Sequence, residues 1–174
     1  MNKVLVVVDM QNDFVDGTLG TKEAVGIVDN VAARIRGFDG RIFATLDTHF
    51  ADYPETAEGR KLPVAHCIQG TDGWKINEKV QQALTEKGYK AIEKKTFGST
   101  DLVEEIRSIA AEGEISIELV GLCTDICVVS NALLLKAFFP EIPISVDADC
   151  CAGVTPRTHE AALETMKMCQ IDVV

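Results

Sequence analysis

The sequence has no apolar segment long enough to cross a membrane and no excess of basic residues. Its longest uninterrupted aliphatic run near the start is Val4 to Val8, far short of the ~20 residues that a bilayer requires. It also lacks the apolar core and the small-residue cleavage site of a secretory signal, so we expect a cytoplasmic protein. With 17 Lys and Arg against 27 Asp and Glu, we expect neither a nucleic-acid partner nor an anionic membrane partner.

The cysteines lack the spacings of common zinc-binding pairs. Cys123 and Cys127 are separated by three residues, and Cys150 and Cys151 are adjacent. The other two are Cys67 and Cys169. Without a secretory signal, an even number of cysteines does not predict a disulfide framework. We expect most of the six to be buried as small hydrophobic residues, which leaves the question of which one is reactive.

What the sequence does contain is a regular alternation of strand and helix signals. Strand signals lie at residues 3–8, 41–46, 89–94, 115–122, 142–148 and 171–174, and helix signals lie at 23–36, 75–87, 101–111, 125–138 and 156–168. This order predicts an α/β fold, a three-layer α/β/α doubly wound arrangement with a largely parallel six-stranded sheet. A length of 174 residues suits one domain over residues 1–174. The long irregular segment 48–73 is either functional or mobile.

Four chemically capable groups follow the predicted strands directly. Asp9, Asp47 and Lys94 end the first three strands, and the segment GLCTDIC at 121–127 follows the fourth. Open α/β sheets place their sites outside the carboxyl ends of the strands. We therefore expect these groups to meet at one edge of the sheet.

Cys127 lies in the first turn of a helix that Thr124 or Asp125 would cap. The free N–H groups and positive end of a helix favour a thiolate and are expected to lower the pKa of the thiol. The same N–H groups can hold a developing oxyanion, although a buried cysteine packed under a helix has the same pattern. Asp9 lies at the end of a buried strand, a position that suits a proton acceptor. The alternative is that Asp9 only caps or forms a turn.

A second cluster surrounds the long irregular segment. Asp47 and His49 share one side of an extended stretch, and His66 returns from the far end of the segment. Two histidines and a carboxylate leave coordination positions open for water or substrate, as catalytic metal sites require. Glu55 or Glu58 can add an oxygen ligand. The alternative is that both histidines are ordinary loop residues.

Four ordered motifs resemble those of the isochorismatase-like cysteine hydrolases, the superfamily that contains the nicotinamidases. They are VVVDMQNDF at 6–14, LPVAHCIQGTDGW at 62–74, EKKTFGS at 93–99 and VGLCTDICV at 120–128. The last resembles the nucleophile motif of that superfamily. The third resembles the segment that carries its lysine.

The resemblance implies a catalytic triad of Cys127, Asp9 and Lys94. We choose Lys94 over its neighbour because the family lysine usually stands three residues before an aromatic, here Phe97. The resemblance also implies a cis peptide on the N-terminal side of Cys123, and an oxyanion hole formed by the amides of Cys123 and Cys127.

The resemblance further implies a divalent metal, zinc in the first place and manganese or iron as alternatives, that binds the pyridine nitrogen of the substrate. The implied ligands are Asp47, His49, Glu58 and His66. Phe14 and Trp74 would line the pocket for the substrate ring. The family also implies a homo-oligomer.

These features predict hydrolysis of a small amide through a thioester, with nicotinamide as the first candidate substrate. The closest alternative is an N-carbamoyl or ureido compound, whose relatives in the superfamily generally lack the metal ligands. Ether hydrolysis of isochorismate is opposed by Cys127, since members with that activity generally lack the cysteine. A hypothesis of another class is a thiol redox or metal sensor that uses the adjacent Cys150 and Cys151.

Overall fold

The computed structural model describes residues 2–174, which alternate between strands and helices. The strands are β1 (Asn2–Val8), β2 (Arg41–Asp47), β3 (Lys90–Lys94), β4 (Ile115–Leu122), β5 (Ile144–Ala152) and β6 (Asp172–Val173). The helices are α1 (Asn12–Val15), α2 (Lys22–Gly37), α3 (Ala57–Lys61), α4 (Glu78–Lys87), α5 (Thr100–Ala110), α6 (Val129–Phe138) and α7 (Pro156–Met168). Within these residues the strands form one parallel sheet in the order β3-β2-β1-β4-β5-β6.

Both faces of the sheet are covered, which explains why β1 is apolar almost throughout. Leu5 and Val7 pack with α2 and α4 on one face, whereas Val4, Val6 and Val8 pack with α5, α6 and α7 on the other. This separation follows from the period of two in a strand. The predicted three-layer, doubly wound fold with a six-stranded parallel sheet is confirmed. None of the described helices combines the length and the apolarity that a membrane crossing requires.

The chain order places a crevice at the centre of the sheet. From β1 the chain proceeds outward through β2 to β3, and it then returns to the other side of β1 to form β4, β5 and β6. Such a reversal opens a crevice at the carboxyl ends of the two central strands, where doubly wound proteins bind their ligands. Here those ends are Val8 of β1 and Leu122 of β4.

Several segments differ from the sequence-based prediction, among them the predicted helix 125–138, which is a π-helical turn at Thr124–Val128 followed by α6. β5 continues to Ala152 because its pairing with β4 resumes beyond an irregularity between Leu119 and Gly121. α4 begins at Glu78, since the side chain of Asn77 caps it, and the residue before Asn77 bridges to Gln11. The irregular segment 48–73 contains a 3-10 turn and the short helix α3.

Gly121, next to the end of β4, has a backbone conformation that other residues rarely adopt. Its φ is +115°, and a Cβ there would lie 2.2 Å from the carbonyl oxygen of Val8. We expect Gly121→Ala to lower the free energy of unfolding by about 2 kcal/mol or more, because a strained φ and a backbone clash act together. Urea unfolding followed by circular dichroism measures the change.

Gly26 provides the matched control for this substitution. It lies within α2, and a Cβ there would meet nothing within 4 Å. Gly26→Ala is therefore expected to stabilise the protein by about 0.5–1 kcal/mol, as alanine does in helices. An unchanged urea midpoint for Gly121→Ala would contradict the close approach of β1 and β4.

Candidate active site

Asp9, Lys94 and Cys127 meet at the carboxyl edge of the sheet. Asp9 follows β1, Lys94 ends β3, and Cys127 lies in a π-helical turn, Thr124–Val128, that joins β4 to α6. The Lys94 Nζ atom is 2.7 Å from Asp9 Oδ2 and 3.4 Å from Cys127 Sγ. All three residues are buried, with exposed fractions of 0%, 4% and 4%. One ammonium group therefore contacts both a carboxylate and a thiol away from bulk water.

The carboxylate of Asp9 is held by β2, and one of its oxygens remains available. The backbone of Asp9 has a φ of +46°, in the left-handed region, and its N–H donates to the carbonyl of Thr45. The Thr45 hydroxyl donates to Asp9 Oδ1 at 2.6 Å. Among the described residues, Oδ2 accepts no hydrogen bond of good geometry, although Lys94 Nζ lies 2.7 Å away. Sequence reasoning missed Thr45, a buried polar residue of β2 that lies two positions before Asp47.

The single ammonium group of Lys94 lies between two carboxylates. Nζ contacts Asp9 and also lies 3.2 Å from Asp47 Oδ1. Burial alone would lower the pKa of Lys94, but the charges of Asp9 and Asp47 and the contact with Asp9 outweigh it and raise that pKa. Burial, supported by the charge of Asp47, raises the pKa of Asp9 despite the nearby lysine. Lys94 therefore stays protonated, and Asp9 is the carboxyl group that takes up a proton more readily.

The pKa of Cys127 moves in the direction opposite to the sequence-based expectation. We expected the helix end to lower it, but burial and the adjacent charge of Asp9 raise it well above the ordinary value. The removal of water from the thiol outweighs the attraction of Lys94. The resting group is a neutral thiol, so a base must remove its proton before or during attack on a substrate.

The turn that carries Cys127 begins with an unusual peptide bond. The bond between Leu122 and Cys123 is cis, as the resemblance implies. The carbonyl of Cys123 accepts the N–H groups of Ile126 and Val128, each at 3.0 Å. Neither the Cys123 N–H nor the Cys127 N–H takes part in these two bonds.

A second cluster lies beside these residues and has the donor atoms of a metal site. One ligand atom from each of four side chains lies within 4.8 Å of all the others. The four residues are Asp47, His49, Glu58 and His66. Among residues 2–174, Glu55 does not belong to this cluster, so the structure places Glu58 there.

The orientation of the cluster suits a divalent cation. Asp47 Oδ2 is 3.0 Å from His49 Nε2 and 3.6 Å from His66 Nε2, and Glu58 Oε1 lies 3.7 Å and 3.6 Å from the same two nitrogens. His66 Nδ1 is 2.8 Å from the carbonyl of Val64, a contact that assigns the proton to Nδ1 and leaves Nε2 free to ligate. Two imidazoles and two carboxylates are a donor set that zinc, manganese and iron accept.

Asp47 connects the two clusters. Its Oδ2 faces the histidines, and its Oδ1 faces Lys94. Burial opposes ionisation of Asp47, but hydrogen bonds from His49 and His66 and the charge of Lys94 hold its pKa well below the usual range. The buried amide of Gln11 fixes the Asp47 backbone by accepting its N–H at 2.7 Å and donating to its carbonyl at 2.8 Å. Sequence reasoning gave Gln11 no role, although it lies within the first motif.

The thiol of the first cluster and all of the second cluster open into one cavity of about 560 Å³. Cys127 and the four residues of the second cluster line it together with apolar side chains that include Phe14, Phe97 and Ile126. The Phe14 ring is 5.4 Å from the ring of His66. Trp74 is not among the residues that line this cavity. Its indole N–H donates to Thr48 Oγ1 at 2.9 Å, and the ring packs against the core.

Comparison with known proteins gives a consistent result over the whole chain. The isochorismatase domain matches residues 3–174. A nicotinamidase/pyrazinamidase from Mycobacterium tuberculosis is 28% identical over 192 aligned residues, which cover 99% of this chain and 98% of that protein.

Solved structures agree with this match. The nicotinamidase/pyrazinamidase of Bacillus subtilis has a TM-score of 0.85 and 27% identity, with 100% of both chains covered. The pyrazinamidase of Pyrococcus horikoshii, solved in complex with zinc, has a TM-score of 0.81 and 27% identity, with 100% of this chain and 99% of that chain covered. The fold, the buried thiol site and the match over residues 3–174 show that this chain belongs to the isochorismatase family.

Proposed function

We propose that this protein is a cysteine amidohydrolase that converts nicotinamide to nicotinate and ammonia. The observation that carries the proposal is the arrangement of two clusters in one cavity. Lys94 contacts Asp9 and Cys127, and it also contacts Asp47 of the second cluster. That cluster, Asp47, His49, Glu58 and His66, is called the metal-type cluster below. A site that combines a thiol, a base and a set of metal ligands can bind a ring through the metal ligands and attack the amide of that ring with the thiol. The similarity to nicotinamidases and pyrazinamidases supports this assignment.

The first half of the reaction forms a thioester. Asp9 Oδ2, which has a free acceptor position, takes the proton of the Cys127 thiol while the sulfur attacks the carbonyl carbon of the amide. The N–H groups of Cys123 and Cys127 stabilise the negative charge that develops on the oxygen. As the carbon–nitrogen bond breaks, Asp9 returns its proton to the nitrogen, so ammonia leaves and the thioester remains.

The second half releases the acid. A water molecule attacks the thioester carbonyl and transfers a proton to Asp9, and the same N–H groups hold the oxyanion again. The carbon–sulfur bond then breaks, and the proton on Asp9 returns to the sulfur of Cys127. Lys94 remains protonated throughout, since its pKa is raised, and its charge stabilises both the Asp9 carboxylate and the developing thiolate.

The metal-type cluster and the apolar wall position the substrate in this proposal. Asp47, His49, Glu58 and His66 would hold a divalent metal, which would supply a Lewis acid for the pyridine nitrogen. Phe14, whose ring faces His66, packs against the heteroaromatic ring. An N-carbamoyl or ureido substrate has no ring nitrogen to place there, so the four-ligand cluster favours nicotinamide.

The test is ammonia release from nicotinamide and from a panel of N-carbamoyl amino acids, before and after treatment of the protein with a chelator. We expect nicotinamide to be hydrolysed and the activity to fall at least about 10-fold after chelation, because ring binding weakens. Addition of zinc, manganese or iron restores the activity. Each metal is assayed separately.

His49→Ala is the variant that corresponds to chelator treatment, since it removes one donor atom of the metal-type cluster. It is expected to lower both metal retention after dialysis and nicotinamide turnover. Hydrolysis of carbamoyl compounds without metal dependence would replace nicotinamide by the alternative substrate class. Nicotinamide turnover that is unaffected by both the chelator and His49→Ala would contradict the role of the cluster.

A further inference from the structure

His159, the third histidine of the chain, lies outside the metal-type cluster and contacts the turn that carries the nucleophile. It belongs to the first turns of α7 and is half-buried. Its Nδ1 lies 2.7 Å from Oγ1 of Thr124, a hydrogen bond in which either atom can donate according to the tautomer. Thr124 has no exposed surface, so this imidazole is a protein partner for a hydroxyl that water does not reach.

Thr124 is well placed to control the geometry of the oxyanion hole. It begins the π-helical turn, directly after Cys123 and three positions before Cys127. Its carbonyl accepts the N–H of Val129 at the start of α6. A displacement of Thr124 would therefore move the Cys123 amide on one side and the turn that contains the Cys127 amide on the other.

A second contact ties the same turn to the same segment. Both carboxylate oxygens of Asp125 accept the N–H of Val154, at 3.1 and 3.2 Å. The His159 backbone is itself closely packed, because a Cβ on Gly153 would lie 2.8 Å from the His159 nitrogen. The connection from β5 to α7 thus holds His159 in place, and His159 in turn holds Thr124.

We propose that His159 is a positioning residue that holds the oxyanion-hole turn through its hydrogen bond to Thr124. This inference rests on the proposed use of Cys127 as an acyl acceptor. Donors of an oxyanion hole act only when they stay within a few tenths of an ångström of the position that hydrogen-bonds the developing charge, so a small displacement slows acyl transfer. Direct displacement reactions of the thiol pass through no oxyanion, and His159 does not affect them.

Three variants on α7 and the turn test the proposal. His159→Leu removes the hydrogen bond, His159→Asn keeps a polar atom near the position of Nδ1, and Thr124→Val removes the hydroxyl partner. Glu160→Leu, on the exposed side of the same helix, is the matched control. The readout is acylation of Cys127 by p-nitrophenyl acetate. The thiol attacks the ester carbonyl, a thioester forms, and p-nitrophenolate leaves.

We expect His159→Leu and Thr124→Val to lower the acylation rate constant about 10- to 100-fold, the usual effect of losing a group that orients a catalytic one. The apparent KM should stay within about two-fold, since neither residue lines the described cavity. His159→Asn should restore most of the rate, and Glu160→Leu should match the wild type. The rate of Cys127 alkylation by iodoacetamide should be the same in all five proteins, because displacement at iodoacetamide needs no oxyanion hole.

Several outcomes would overturn the proposal. Acylation by His159→Leu or Thr124→Val within two-fold of wild type would show that the hydrogen bond does not position the turn. Equal losses in acylation and alkylation would indicate a general disruption of the site instead. If His159→Leu does not fold, Thr124→Val and His159→Asn decide the question. A wild-type protein that is acylated by the ester but hydrolyses no amide would contradict the proposed substrate and leave the His159 comparison intact.

Discussion

Replacement of Cys127 by alanine is expected to reduce amide hydrolysis at least about 10⁴-fold, because it removes the atom that forms the thioester. The fold should survive, since Cys127 is a small buried residue and alanine removes only its sulfur. Ammonia release from nicotinamide measures the loss, and thermal unfolding shows whether the variant is folded. Cys127→Ser should also be almost inactive, since a buried hydroxyl loses its proton less readily than a thiol.

Cys169→Ala is the control for the loss of a thiol. Cys169 is exposed, at the end of α7 and away from the cavity, so this variant should match the wild type in ammonia release. If Cys127→Ala kept more than about 1% of the wild-type activity, a covalent thioester on this residue would be excluded. The alternative would then be direct attack by water with Asp9 as the base.

The sensor hypothesis makes a different prediction about the other thiols. Cys150 and Cys151 are each only 4% exposed, and burial raises the pKa of Cys150 to about 12. A redox-sensing thiol is instead accessible and easily ionised. The adjacent pair is therefore explained better by packing, with Cys150 in the core on one face of β5 and Cys151 in the core on the other.

The position of the site could be predicted from the sequence because it depends on topology. Asp9, Asp47 and Lys94 each end or directly follow a strand, and parallel strands end at the same edge of the sheet. The ends of apolar runs therefore predict which side chains share an edge. The sequence could not predict the distances between them. Those depend on the strand order, which places β1 next to both β2 and β4.

Environment was less predictable than position. The pKa of Cys127 was expected to fall at a helix end, but the thiol is only 4% exposed and the shift has the opposite sign. Spacing along the chain shows the helix end but does not show how much water the surrounding layers remove. Trp74 illustrates a related limit, because its motif does not show that the indole donates to Thr48 and that the half-buried ring packs against the core.

The polar residues that sequence reasoning missed have one feature in common. Thr45, Gln11 and His159 each hold another site residue, and each acts across a large separation along the chain. Thr45 reaches Asp9 over 36 residues, and His159 reaches Thr124 over 35. A single sequence carries no signal for such pairs beyond a polar residue in an apolar stretch. Only the assembled layers reveal them.

Lys94→Met is expected to inactivate the protein and also to destabilise it strongly. Lys94 is 4% exposed and lies within 3.2 Å of a carboxylate oxygen of both Asp9 and Asp47. Its removal leaves the buried Asp9 carboxylate without a cation and takes one partner from Asp47. Deletion of one partner of a buried ion pair costs about 3–5 kcal/mol. Urea unfolding at neutral pH measures the loss. Lys95→Met is the matched control, because Lys95 is exposed and a surface charge contributes about 1 kcal/mol at most.

The double variant Asp9→Asn/Lys94→Met separates the charge imbalance from the loss of packing. It should be more stable than Lys94→Met and equally inactive, since one unpaired carboxylate is gone but the base is gone as well. A double variant no more stable than Lys94→Met would contradict an electrostatic origin of the destabilisation.

The stability that Lys94→Met loses relative to the wild type should depend on pH with a definite sign. Folding already raises the pKa of Asp9 through burial, and removal of the lysine raises that pKa further. A carboxyl group with a raised pKa contributes stability below its unfolded pKa of ~3.9 and loses that contribution as the pH rises. The deficit of Lys94→Met relative to wild type should therefore be smallest near pH 4 and grow toward pH 7. A deficit that stays constant between these two values would mean that Lys94 stabilises the fold through its aliphatic packing and not through its charge.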